Sequence, residues 1–185
     1  MDEQIQAWEQ RIDAVTTEVK SQFGDLSPEQ LNWKPTAEKW SIAEVFQHLV
    51  LVNRSYDRVL TAVANGTSNP GWTAHFGFLV RYFGTMIHRS VDPTREKKIR
   101  TFTVWEPTSS HVDGNVINDF VSEQERIKEL IRRNKESIEK DIVVPSPANR
   151  YVVYRLRKAL EIIVSHEERH LNQALEVRES FQATL

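Results

Sequence analysis

Ser165-His166-Glu167-Glu168-Arg169-His170 is the stretch from which the rest of the sequence reads. Its two imidazoles stand four residues apart. At about 100° per residue, that spacing puts them one turn apart on one face of a helix. The face is the apolar one: Val152, Leu156, Ala159 and Ile163 lead into His166 and His170, and Ala174 and Val177 continue the stripe. Polar rings in a buried stripe cost free energy unless each finds a hydrogen bond or a metal ion. The pattern predicts a final helix from about residue 151 to 181, opened by Asn149 after the breaks at Pro145 and Pro147.

Outward from that helix, the same periodicity marks others. Ile5, Trp8, Ile12, Val15 and Val19 repeat every three or four residues and predict a helix over 2–23, stopped at Gly24. Ser27 and Pro28 suit a short helical turn, and Pro35 makes a loop of Trp33 to Thr36. Ser41 with Glu44 three residues on forms a capping box for a helix to about residue 64. Its apolar face, Ile42, Val45, Leu49, Val52 and Val59, also carries His48. Ile117, Phe120, Ile127, Ile131 and Ile138 predict a third long helix over 116–139. Between these lie an aromatic segment over 74–88 and an irregular stretch over 91–112. The irregular stretch holds a basic patch at residues 95–98 and the polar Thr108-Ser109-Ser110. A connection this long is expected to wrap the body and line a pocket. No alternating strand pattern is present. The expectation is an all-α fold, a four-helix bundle in a single domain spanning 1–185, with a long irregular connection before the third long helix.

Composition narrows the function classes. The chain has 185 residues, 39% hydrophobic and 27% charged, and a net charge of −2, so nothing electrostatic favours nucleic acid or an anionic membrane. Cysteine is absent, which excludes disulfides, Cys–zinc sites and cysteine nucleophiles. Met1-Asp2-Glu3-Gln4 has neither a basic head nor an apolar run, so no signal peptide is expected and a cytoplasmic location follows by default.

His48, His166 and His170 are three inward imidazoles from two helices. Three nitrogen ligands suit zinc, nickel or iron and leave a coordination position open, the arrangement of catalytic rather than structural sites. Glu44, one turn before His48, is a candidate outer partner of the ligand ring, though it already serves the capping box. Ser55 shares that face, and Gln173 is placed to line the same cavity. His75, His88 and His111 read as surface or rim residues. His166-Glu167-x-x-His170 also matches the H-E-x-x-H pattern, with Glu167 as general base. Only Glu176 and Glu179 follow as third-ligand carboxylates, and no strand-bearing half is visible, so Glu167 reads instead as a solvated side chain.

On Trp40-Ser41-Ile42-Ala43-Glu44-Val45-Phe46-Gln47-His48-Leu49 and the late His166-to-His170 motif, the chain resembles the DinB-like, or YfiT-like, metal-dependent enzymes. Leu31-Asn32-Trp33-Lys34-Pro35 is similar to the lead-in of that family. The resemblance implies an antiparallel four-helix bundle with up-down-down-up connectivity. It also implies a divalent metal held at positions that fall here on His48, His166 and His170, and frequent homodimers. It points to activities such as thiol-dependent transfer from bacillithiol, mycothiol or glutathione, maleylpyruvate isomerisation, or hydrolysis.

Two functions follow as expectations. The first is a metal-dependent hydrolase or thiol S-transferase acting on a small molecule, with Arg54, Arg58, Arg81 and Arg169 as cations available to an anionic thiol. The alternative is a non-catalytic helical module with a structural or vestigial metal site. It would bind a partner or apolar ligand through Trp72, Phe76, Phe78, Tyr82 and Phe83, unless these fill the core or a dimer seam.

Overall fold

A computed structural model of the chain describes residues 1–94, 102–107 and 111–184. The basic patch at 95–98 and the polar 108–110 fall outside the described residues. The chain is mainly helical, in the order α1 (Asp2–Phe23), α2 (Pro28–Asn32), α3 (Ile42–Ala64), α4 (Gly77–Ser90), α5 (Val116–Arg133), α6 (Lys135–Lys140), β1 (Val143–Pro145), β2 (Val153–Arg155) and α7 (Leu156–Gln182). Single 3-10 turns stand at Trp72–His75 and Thr103–Trp105. No helix among the described residues is long and apolar enough to cross a membrane.

Side-chain pairs give the direction of each helix against its neighbours. Asp2, Glu9 and Asp13 meet Lys135, Arg132 and Lys128, so α1 runs antiparallel to α5. Arg54 meets Glu123 and Asp57 meets Arg126, so α3 and α5 run parallel. His48 packs on His170 while Asn53 bonds Glu167, so α3 and α7 are antiparallel. Trp8 bonds Glu161, and Arg11 clamps Glu161 and Glu168, so α1 and α7 are parallel. The order of directions is up, down, down, up.

Capping behaves as the sequence indicates at two starts. Ser27 with Gln30, and Ser41 with Glu44, each form a complete capping box. The last helix does not start where its stripe predicts. Val153-Tyr154-Arg155 pairs antiparallel with Val143-Val144-Pro145, so α7 opens at Leu156 rather than near residue 151. The β-branched and aromatic run Val152-Val153-Tyr154 fits a pleated strand better than a helix. Asn149 does not cap α7. Ile142 takes the Leu156 amide on its carbonyl and Asp141 takes the Arg157 amide on its carboxylate. Asp141 reaches that position in a left-handed conformation, φ 48°. The third long helix is likewise interrupted. Asn134, buried, turns its amide onto the carbonyls of Leu60 and Leu130 and separates α5 from α6.

Gly84 explains how a glycine-bearing aromatic segment stays helical. A Cβ there would lie 3.2 Å from both Tyr154 Cβ and Lys158 Cγ, so its absence lets α4 press against β2 and the start of α7. That packing buries Val80 and Gly84 and leaves Trp72, Phe76, Phe78 and Tyr82 exposed. These four aromatics therefore do not fill the core.

The core comes in two apolar clusters. One gathers Trp8, Ile12, Val52, Leu60, Ile127 and Ile163. The other gathers Phe23, Phe46, Leu49, Phe120, Leu171 and Ala174. Along the chain, polar side chains fall between the positions that feed the two clusters on three helices: His48 and Asn53 from α3, Gln124 from α5, and His166, Glu167 and His170 from α7. The site draws on these residues.

Candidate metal centre

His48 stands two turns into α3 and is 2% exposed, with His170 at 9% and His166 half-buried on α7. Antiparallel packing brings the rings together. His48 Nε2 lies 3.2 Å from His166 Nε2, and ring centroids are 4.6 Å apart for His48–His170 and 4.5 Å for His166–His170. One nitrogen from each of the three lies within 4.8 Å of the others, the one cluster of this kind among the described residues.

Electrostatics keeps these rings neutral. Burial draws His48 down to about 4, against a hydrogen bond to the Trp105 carbonyl that favours the charged form. Burial also takes His166 well below its ordinary value, helped by the neighbouring His170, His48 and Arg169. His170 is lowered chiefly by burial, then by His48 and Arg169, against a hydrogen bond with Gln173. A neutral imidazole is the ligating form. The buried Nδ1 of His170 has no hydrogen-bond partner. Three uncharged nitrogen donors around a common centre, one of the rings with an orphaned atom, fit a divalent cation of the zinc, nickel or iron class.

The partner that orients His48 comes from the long connection, not from its own helix. Trp105 accepts the Nδ1 proton on its main-chain carbonyl at 2.8 Å, which leaves Nε2 bare toward the other rings. The Trp105 indole in turn donates to Ser55 Oγ at 3.0 Å, two turns along α3 from His48. Glu44 is occupied elsewhere: its carboxylate takes the Ser41 amide and the Lys34 ammonium. Trp105→Phe keeps the aromatic body but removes the indole donor. Its metal affinity, read by competition with a chromophoric chelator, is expected to fall about tenfold, the low end of what outer partners contribute. Unchanged affinity would mean that the carbonyl is held without the anchor.

Glu167 is fully buried, not solvated. It lies about 100° from His166 around the helix, so it faces α3 and α5 instead of the ring cluster. Asn53 Nδ2 donates to it at 2.9 Å and Gln124 Nε2 at 3.0 Å. These bonds hold its carboxylate toward α3 and α5, whereas the H-E-x-x-H reading would have it beside the imidazoles. Burial pushes its carboxyl up to about 7, against the two amide donors. The folded value exceeds the unfolded one, so the ionisation penalty is absent at low pH and enters as pH rises from 4.5 toward 7. Glu167→Gln removes that charge. In metal-free protein, its stability relative to wild type is expected to climb between pH 5 and pH 8 by up to about 3 kcal/mol. Urea melts at the two pH values would show it, and a pH-independent difference would contradict it.

A cavity of about 630 Å³ opens beside the rings. Trp40 and Trp105 both line it, and the Trp40 ring packs on His48 at 5.2 Å and on His170 at 6.2 Å. Gln173 lines it as expected, and so do Arg169 and Lys39. Arg169 also donates to the Asp92 carbonyl at 2.8 Å, and Arg54 pairs with Glu123 away from the cavity. The exposed aromatics of α4 do not line it. Phe78 and Tyr82 border a separate shallow depression with Arg81 and Arg89. His75 and His111 are exposed and His88 half-buried, outside the cluster. Trp105 and Lys39 were not singled out by the sequence pattern. The one signal for Trp105 is a large aromatic stranded in a polar connection.

The family comparison agrees with this geometry. The pattern of the DinB superfamily matches residues 11–174, which include all three histidines. The chain is also similar to the uncharacterized protein YuaE of Bacillus subtilis (strain 168), 25% identical over 168 residues, covering 89% of this chain and 93% of the relative. No solved structure matches. With a match over most of its length, the chain belongs to the DinB superfamily.

Proposed function

We propose that this protein is a metal-dependent enzyme acting on a small molecule. In this reading His48, His166 and His170 hold one divalent ion, and the long helices α1, α3, α5 and α7 form the antiparallel four-helix bundle that carries it. The observation that supports this best is the placement of three neutral ring nitrogens, mutually within 4.8 Å, on the wall of a 630 Å³ cavity. A closed four-ligand cage would serve structure alone, whereas ligands facing a cavity leave room for a reactant.

A divalent ion in that position supplies Lewis acidity, lowering the pKa of a coordinated water or thiol. The chain's own residues do the rest. Trp105 fixes the tautomer of His48. Trp40 packs on the His48 and His170 rings, and Trp105 lines the cavity beside them. Arg169 and Lys39 place cationic groups on the cavity lining. Two reactions use this arrangement. In hydrolysis, water adds to an acyl carbon, the bond from that carbon to its leaving group breaks, and the leaving group departs with a proton. In thiol transfer, a thiol loses its proton, a sulfur–carbon bond forms, and the displaced group leaves with the proton.

The test loads the purified chain with zinc, nickel or iron separately. Each form is assayed with a chromogenic ester, and with glutathione plus a chromogenic aryl halide. Turnover that requires the metal supports the reading, and a requirement for added thiol selects transfer over hydrolysis. Turnover untouched by chelation, or no metal uptake, overturns it.

A binding module is the second reading, favoured by the exposed Trp72, Phe76, Phe78 and Tyr82. Their side chains lie outside the histidine cavity, so that role would be independent of the metal site.

A further inference from the structure

The cavity is not uniform along its length. Its lining residues on α7 run from Ile162 to Ser180, a span of about 27 Å at 1.5 Å per residue. His166 and His170 fall inside that span, so the ring cluster divides the cavity into two arms. Toward the start of α7 the walls are Ile162, Val52, Tyr56, Ile87 and Val152. This arm is apolar and follows α3 for about 12 Å from His48 to Tyr56. The Tyr56 hydroxyl adds no free polar group to it, being bound to Tyr154 at 2.9 Å and buried. Ser90 also lines the cavity, with its hydroxyl donated to the Ile87 carbonyl, and Ser146 and Asn149 stand at the far end of this arm. Toward the end of α7 the lining becomes mixed: Pro35, Trp40 and Val177 are joined there by Glu38, Lys39, Gln173, Glu176 and Ser180, which bring charges of both signs.

A ligand that spans such a cavity must match both halves. A charged group in the apolar arm would be desolvated with nothing to pair it, whereas in the second arm Glu38, Lys39 and Glu176 are exposed, so a charged group there keeps water and finds partners of either sign. We infer that the site takes an amphipathic two-part substrate. An alkyl or aryl group lies between Val52, Tyr56, Ile87 and Ile162. A charged, hydrogen-bonding group lies against Lys39, Gln173 and Glu176, and the bond that reacts sits between them at the histidines. This rests on the metal reading above and adds to it the chemistry of each side. An apolar acyl or alkyl group joined to a polar carrier belongs to this class, and a small molecule polar throughout does not.

The probes are alkyl hydroxamates, whose head group chelates a metal and whose tail lengthens without other change. Acetohydroxamate, butanohydroxamate, hexanohydroxamate and octanohydroxamate are titrated into the zinc-loaded protein by calorimetry. Each methylene that enters the apolar arm is expected to tighten binding about fourfold, until the tail reaches Ser146 and Asn149. Ile87→Trp fills the arm and is expected to flatten the series while acetohydroxamate binds as before. Val152→Trp, farther from the rings, is expected to spare the short members and penalise only the longest. Glu176→Ala, in the opposite arm, is expected to leave the slope as it is. A flat series in wild type with normal acetohydroxamate binding overturns the two-arm inference and leaves the metal centre standing. A slope abolished by Glu176→Ala but not by the two tryptophan variants overturns the assignment of the arms. Failure of the protein to take up zinc, or of acetohydroxamate to bind the zinc form, overturns the metal reading and this inference with it.

Discussion

His166→Ala is expected to abolish metal binding at micromolar concentrations, and His48→Ala to do the same from the other helix. Zinc held by four protein ligands is worth about 10–16 kcal/mol, so one ligand carries roughly 3 kcal/mol, or about a hundredfold in affinity. His48 Nε2 and His166 Nε2 lie only 3.2 Å apart, so in the proposed reading the two helices serve a single centre. Neither α3 nor α7 alone supplies the full set. The same loss appears in thermal stability. A metal that binds only the folded chain, at about a hundred times its dissociation constant, stabilises wild type by about 2.7 kcal/mol. The variants are expected to show almost none of that gain. Elemental analysis after dialysis, paired with melts with and without zinc, checks both effects. Full metal content in both variants would place the ion elsewhere.

The second large effect lies in the core beneath the site. Phe46→Ala is expected to cost about 3–5 kcal/mol, read as a drop in the urea midpoint at constant slope. Phe46 is fully buried, and its ring packs on Phe23 of α1 at 5.3 Å and on Phe120 of α5 at 5.2 Å. It is thus the contact through which α3 meets two neighbours at once. A truncation there leaves a cavity that three helices border, and rigid helices close such a gap only in part. A cost below about 1 kcal/mol would mean that the helices collapse onto the vacancy.

The sequence is most legible where one periodicity and one cap act alone. Ser41 and Glu44 mark the start of α3 to the residue, and the stripe from Ile42 to Val52 carries His48 to the correct side. The stripe through α7 likewise delivers His166 and His170 to the cavity. It misleads about Glu167, because a single stripe presumes a helix buried on one face. Ile162, Ile163 and Val164, three adjacent apolar residues, already indicate burial on more than one, and all three are at most 2% exposed. α7 packs on α1, α3 and α4, so a residue 100° from the histidines is still inside. The strand pair that delays α7 depends on contacts between residues 143–145 and 153–155, and no pattern internal to either segment fixes their register. Asn134 interrupts the third long helix for a similar reason: its side chain is anchored on Leu60, far away in sequence. Trp105 is the most consequential residue that periodicity cannot reach. It lies in an irregular connection, and its role is exerted through a main-chain carbonyl that no side-chain pattern encodes.

The most direct test of the metal centre is anomalous diffraction at the zinc edge from a crystal soaked in a zinc salt. The result expected is one strong peak, about 2.0–2.1 Å from a ring nitrogen of each of His48, His166 and His170, with its remaining coordination directed into the cavity. A peak bound elsewhere, with those three nitrogens beyond bonding reach of any shared ion, would contradict the account.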